Sequence, residues 1–167
     1  ILWLLENNEF STKNIFQEAT KRGIDNKRIF FAKKVNIKEH LARLQFADLF
    51  LDTFPYTAHT TCSDALRINL PVLTIKGESF PSRVAASLLN SINMNELVTE
   101  NIDEYEKLAL KIFNNNDYFE NIKFKIKENK ISSNLFNSAI YTKNIEKAYT
   151  IAYQNFVKGE LPKNIEL

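Results

Sequence analysis

The sequence predicts an α/β fold in which a parallel sheet is flanked by helices, and three observations carry that expectation. Short apolar runs alternate with amphipathic stretches over the first 100 residues, the pattern of strands joined by helical crossovers. The runs are almost continuously hydrophobic, as strands covered on both faces must be. From residue 101 the apolar spacing becomes helical throughout, which adds a helical C-terminal tail.

The strands are expected at residues 1–5, 28–32, 49–52 and 72–75, with a short one at 97–98. A first helix over 11–22 starts at a Ser/Thr cap and stops at Gly23, as capping physics favours. A second over 36–46 places Ile37, Leu41 and Leu44 on one stripe. Helices over 61–68 and 80–91 follow, the latter with Val84, Leu88 and Ser91 on one side and small Ala85 and Ala86 for close packing. In the tail, 102–114 carries Tyr105, Leu108 and Ile112, and 118–130 is rich in lysine. The last helix, 142–157, carries Ile145, Ala148, Tyr149, Ala152 and Phe156. No repeat, low-complexity linker or second boundary interrupts the chain, so one domain over 1–167 is expected, with an α/β core at 1–100 and helices at 101–167.

Composition narrows the function. The 167 residues are 44% hydrophobic and 25% charged, which suits an ordinary globular domain with a real core. A net charge of +2 argues for neither nucleic acid nor a membrane as partner. No apolar run approaches the roughly 20 residues that span a bilayer. A lone cysteine, Cys62, excludes a disulfide framework and fits a reducing cytoplasm. The chain opens on Ile1-Leu2-Trp3-Leu4-Leu5, without a methionine or a signal pattern. A start in mid-strand leads us to expect a fragment of a longer protein, with parts of the active site elsewhere.

The segment that carries chemistry runs from Leu49 to Leu66. A strand ends at Asp52, a loop crosses, and a helix opens at Thr60 or Thr61. Ligands of open α/β sheets bind beyond the carboxyl ends of the strands. A helix opening there offers unpaired N–H groups and a positive dipole end to an anion, and two threonine hydroxyls add donors. The competing explanation is local: Thr61-x-x-Asp64 also fits a capping box. As a ligand group, Asp64 suits sugar hydroxyls rather than phosphate. A second pair, His40 and Arg43, lies at i, i+3 on one helix face. An imidazole can stack on a base and a guanidinium can hydrogen-bond a carbonyl, or both can belong to a solvated face with Lys38 and Glu39.

Other features carry less. Cys62 has no histidine at a recognisable spacing and reads as packing. His40 and His59 are the only histidines, so no zinc pattern can be written and no metal or other cofactor is expected. Gly77-Glu78-x-x-x-x-Arg83 reads as turn chemistry with a local ion pair, and Lys123, Lys125, Lys127 and Lys130 as a solvated face.

The stretch Phe54-Pro55-Tyr56-Thr57-Ala58-His59-Thr60-Thr61-x-Ser63-Asp64-Ala65-Leu66 resembles the signature of the SPINDLY-type protein O-linked N-acetylglucosamine transferases. Further blocks are similar in the family's order: Ile1 to Leu5, Arg28 to Phe31, Leu51-Asp52-Thr53, Gly77-Glu78-Ser79, Ser82 to Ser87, Glu104-Tyr105-Glu106, and Ser132-Ser133-x-Leu135-Phe136-Asn137. The resemblance implies the C-terminal, Rossmann-like half of a GT-B glycosyltransferase, usually preceded by tetratricopeptide repeats. It implies an inverting transfer of N-acetylglucosamine from UDP to Ser/Thr hydroxyls, with UDP-GlcNAc held here. The protein acceptor would be held by the other half and the repeats. It places the diphosphate at His59, Thr60 and Thr61, the ribose at Asp64, and uracil at His40, with Arg43 and the backbone around Val35 reading its edge. Two departures stand out. The family's lysine three residues before the stacking histidine is Ile37 here, so either Lys38 substitutes or one ribose contact is missing. The family's first strand and helix of this half, with a diphosphate-binding glutamine and lysine, are absent. No residue present is assigned as the catalytic base, and the fragment alone is expected to be inactive. Alternatives within reach are a UDP-glucose-dependent protein glucosyltransferase and a non-catalytic UDP-sugar-binding module.

Overall fold

In the computed structural model, which describes residues 1–167, the strands pair in parallel in two sheets. The chain divides into two units, Ile1–Gln45 and Phe46–Leu167. In the first, β1 (Leu2–Leu5) and β2 (Ile29–Ala32) run in register from Leu2 opposite Ile29 to Leu5 opposite Ala32. Between them lies α1 (Glu9–Lys21), and α2 (Ile37–Leu44) follows. In the second unit β4 (Val72–Ile75) lies between β3 (Phe50–Leu51) and β5 (Val98–Thr99). The helices there are α3 (Thr60–Arg67), α4 (Val84–Ser91), α5 (Ile102–Asn114), α6 (Asn116–Ser132) and α7 (Ser138–Val157).

Capping explains where several helices begin and end. Asn8, not Ser11, opens α1: its side chain accepts from the Ser11 N–H at 2.9 Å. The expected start was late because Asn8 is an equally good cap and sits one turn earlier. The helix stops as expected at Gly23, whose φ of 72° is left-handed. The Gly23 N–H donates to Thr20 O and the Ile24 N–H to Ala19 O, the paired bonds of a Schellman end. The helix expected over 80–91 is split into a 3-10 turn at Phe80–Ser82 and α4. Pro81 sits in that turn, at a position where its missing N–H is harmless.

The core belongs to the second unit. All four residues of β4 are buried, and so are Leu66 of α3 and Leu89 of α4, helices that pack on it, and Ile122 and Ile126 of α6, which packs on α3 and α5. Full burial of each such side chain contributes about 1.5–3 kcal/mol before chain entropy is counted. The expectation of strands covered on both faces therefore holds for β4 and fails for β1. Leu2, Trp3 and Leu5 are exposed in β1, and Phe30 in β2. A two-stranded sheet offers its side chains few neighbours: Phe16 of α1 meets Phe31 edge-on at 5.2 Å, and Arg43 lies over Trp3.

Other expected faces shift. Ile37 is 56% exposed, so the half-buried side of α2 is His40, Leu41, Arg43 and Leu44. On α4 the buried residues are Ala85, Ala86 and Leu89, while Ser91 is exposed, because the small alanines let the helix approach β4 on that side. On α7 only Ile145 and Ala148 of the expected stripe are half-buried, and Tyr149, Ala152 and Phe156 are exposed. The lysines of α6 are not uniformly solvated. Lys125 pairs with Glu96 at 2.9 Å, Lys123 with Glu120 at 3.6 Å, and Lys130 donates to Arg67 O at 2.7 Å and Asn69 Oδ1 at 2.6 Å. No helix is long and apolar enough to cross a membrane.

Candidate functional site: the loop after β3 and the start of α3

Hydrogen bonds at the carboxyl ends of β3 and β4 fix two loops. Leaving β3, the Asp52 N–H donates to Leu73 O at 3.0 Å, and the Asp52 carbonyl accepts from the Tyr105 hydroxyl at 2.9 Å. The carboxylate, 7% exposed, works harder. Its Oδ1 accepts from the N–H groups of Thr53 and Ala58, each at 2.8 Å, and its Oδ2 from the Thr74 hydroxyl at 2.7 Å. Burial pushes this carboxyl above the usual aspartate range, against the pull of those three donors and the positive charge available on His59. Burial and the charge of Asp52 raise the Tyr105 phenol and push the Cys62 thiol up to about 12. Cys62 is fully buried on α3, and its place as a packing residue follows.

The loop after β4 is joined to the first. Thr57 donates to Pro81 O through its N–H at 3.0 Å and through its hydroxyl at 2.6 Å. The Gly77 N–H donates to Ser82 O at 3.0 Å. A Cβ at Gly77 would lie 2.5 Å from Ser82 Oγ and 3.0 Å from Phe54, so this turn needs glycine for space. Glu78 and Arg83 do not form the expected ion pair, and the turn's own hydrogen bonds close it instead.

This scaffold delivers His59 and the helix behind it. The His59 ring stacks on Tyr56 with centroids 5.0 Å apart and meets Phe80 edge-on at 6.0 Å. Its Nε2 is buried and has no partner. His59 is also the N-cap of α3, and its side chain does not cap. The capping box is therefore not formed: Thr60 and Thr61 are the first two residues inside the helix, so Thr61 is past the cap position. The first intrahelical bond runs from the Ser63 N–H to His59 O, which leaves the N–H groups of Thr60, Thr61 and Cys62 without helical acceptors. Thr60 and Thr61 are exposed and Asp64 is half-buried. An anion at this end would meet backbone donors, two hydroxyls and the positive helix dipole.

In the first unit, α2 brings His40 and Arg43 together. Asn36 caps the helix, accepting from the Glu39 N–H at 3.0 Å. Arg43 Nη1 donates to Lys33 O at 2.7 Å, which ties the loop holding half-buried Val35 to the helix. Its Nη2 lies 3.4 Å from His40 Nδ1, where a neutral imidazole accepts, and the guanidinium lies 5.6 Å from the Trp3 ring centroid. Arg43 Nε is buried without a partner. The pair is thus a packed, hydrogen-bonded group, not a solvated face. The residue missed by sequence reasoning is Asp52. Its only signal was position, a carboxylate ending an apolar strand.

Comparison with known proteins places the chain in a family. Residues 1–145 match the profile described as glycosyl transferase family 41. A UDP-N-acetylglucosamine–peptide N-acetylglucosaminyltransferase of Caenorhabditis elegans is 33% identical over 159 residues, 95% of this chain and 14% of that protein. A Petunia hybrida protein named "Probable UDP-N-acetylglucosamine–peptide N-acetylglucosaminyltransferase SPINDLY" is 30% identical over 124 residues, 74% of this chain and 13% of that one. This chain thus spans about one seventh of the length of these relatives. Among solved structures, a mutant of the Thermobaculum terrenum O-GlcNAc transferase superimposes with a TM-score of 0.82 at 24% identity, covering 89% of this chain and 29% of its own, a likeness of fold. The parallel strands, their flanking helices and a family match over 145 residues agree, and the chain belongs to glycosyl transferase family 41.

Proposed function

We propose that this chain is the donor-binding part of an inverting protein O-linked N-acetylglucosaminyltransferase that takes UDP-GlcNAc. The uncapped start of α3, with His59 Nε2 buried and unpartnered beside it, is the observation that carries the proposal. The α3 N–H groups, His59, Thr60 and Thr61 are assigned to the diphosphate, and Asp64 to ribose hydroxyls. His40, with Arg43 and the backbone at Val35, is assigned to uracil. In the transfer, the acceptor oxygen forms a bond to the anomeric carbon as the bond to the diphosphate oxygen breaks. Negative charge grows on the departing UDP, and fixed donors aimed at that charge lower the barrier. That role falls to the helix end and hydroxyls, with no resident cofactor or metal required. Deprotonating the acceptor hydroxyl, and binding the acceptor protein, are assigned to parts of the longer protein. The single, buried thiol of this chain fits a reducing compartment such as the cytoplasm.

The test uses the full-length protein. UDP should raise its thermal unfolding temperature, and His59→Ala or Asp64→Ala should abolish the rise. If both variants bind UDP as the parent does, the assignment is wrong. Mass spectrometry of modified peptides should show added N-acetylhexosamine. Added hexose points to UDP-glucose instead, and UDP binding without any transfer points to a non-catalytic module.

A further inference from the structure

We infer that Asp52 is a positioning residue for the donor cradle: its buried carboxylate staples both ends of the loop that delivers His59 and the start of α3. Resting on the donor-site function proposed above, this gives Asp52 control over how tightly the diphosphate is held, without touching it. The two backbone N–H groups bound by Oδ1 belong to Thr53, where the loop leaves the strand, and Ala58, where it ends. The next residue is His59. One oxygen atom thus sets the loop's closure, and the other is anchored to the central strand through Thr74. Three donors at 2.7–2.8 Å are the short contacts of charge-assisted bonds. Asp52 is itself held on its backbone by Leu73 and Tyr105. A staple fixed to the buried core transmits that rigidity to the loop, and cradles of this kind lose affinity when supporting groups let them drift by about 1 Å.

A carboxylate that only filled the core would affect how much protein folds, not what the folded protein binds. The experiment therefore measures UDP affinity by calorimetry on full-length protein, below the unfolding transition, and kcat and KM for the sugar donor alongside. Asp52→Ala should weaken UDP binding tenfold or more and raise KM. Asp52→Asn should stay within threefold of the parent, because its Oδ1 accepts the same two N–H groups and its amide can donate to the Thr74 hydroxyl. Thr74→Val, which removes only the core anchor, should weaken binding severalfold and serves if Asp52→Ala does not fold. Parent-like affinity in folded Asp52→Ala, or in Thr74→Val, overturns the staple, and so does an Asn variant as weak as the Ala one. In those cases loss of binding in His59→Ala leaves the donor site standing. A parent that binds no UDP removes both.

Discussion

Lys130→Met probes how α3 is held at the end away from the candidate site. The Lys130 ammonium donates to Arg67 O and to Asn69 Oδ1, just where α3 ends. Hydrogen bonds from a charged donor contribute about 1.5–3 kcal/mol each. A cation at a helix C-terminus adds about 0.3–1 kcal/mol through the dipole. Against these, ordering a lysine side chain costs up to about 2 kcal/mol. Burial, with the Arg67 guanidinium behind it, also holds the Lys130 ammonium below the usual lysine range. That burial offsets part of what remains, so the loss on Lys130→Met, which keeps the apolar stem and deletes the donor, should fall in the lower part of the resulting range, at about 1–3 kcal/mol. Native-state hydrogen exchange read on peptides from α3 and α6 measures this locally, without global unfolding. Lys127→Met, at an exposed position on the same helix, is the control and should change little. A Lys130→Met loss under about 0.5 kcal/mol, the range of ordinary surface changes, refutes the clamp.

Three further outcomes follow from the same geometry. Because Thr61 is past the cap position, Thr61→Ala should change stability by less than about 0.5 kcal/mol, where losing a working cap costs about 1 kcal/mol; UDP affinity should fall severalfold, as calorimetry can check. Gly77→Ala should destabilise by about 1–3 kcal/mol in denaturant unfolding, since its Cβ would meet Ser82, whose hydroxyl is bonded to Ser79 O at 2.8 Å. The folded Asp52 carboxyl titrates above its unfolded value of 3.8, so the folded state holds that proton more tightly. The resulting stability is fully present below the unfolded value and is lost as pH rises through the folded one. Asp52→Asn, which does not titrate, should therefore gain on the parent across that window and then hold a constant offset; a variant whose stability relative to the parent falls as pH rises contradicts the assignment.

Much of the fold was legible because its signals are local. The strands begin and end within two residues of expectation, and α5 spans the expected residues. Gly23 stops α1 through left-handed backbone that glycine adopts without penalty. What the sequence concealed depends on contacts distant along the chain. Whether Lys130 is solvated is decided 63 residues away at Arg67, and the work of Asp52 by Thr74, 22 residues on. For the candidate site, motif and spacing singled out His59, Thr60, Thr61 and Asp64. They could not separate a capping box from an anion cradle, because both want a helix N-terminus with hydroxyl and carboxylate groups beside it.

The helix caps remove the first of these readings and support the second. Five of the seven α-helices begin at an asparagine whose side chain accepts a backbone N–H: Asn8, Asn36, Asn101, Asn115 and Asn137. The two exceptions are α3 and α4. For α4 the cause is local: a 3-10 turn leads straight into it, and the Thr57 hydroxyl lies 3.4 Å from the Ala85 N–H. For α3 no such cause exists. A cap would contribute about 1 kcal/mol there, asparagine serves that purpose elsewhere in the same chain, and the position holds His59, whose ring turns to Tyr56 and Phe80 instead. Meanwhile Asp52, Thr57 and Gly77 fix the preceding loop through buried hydrogen bonds and a turn with no room for a side chain. Rigid support on one side of an uncapped helix is what stability alone does not call for. It is what the proposed donor site would require, with its donors kept free and already aimed for the charge of a diphosphate.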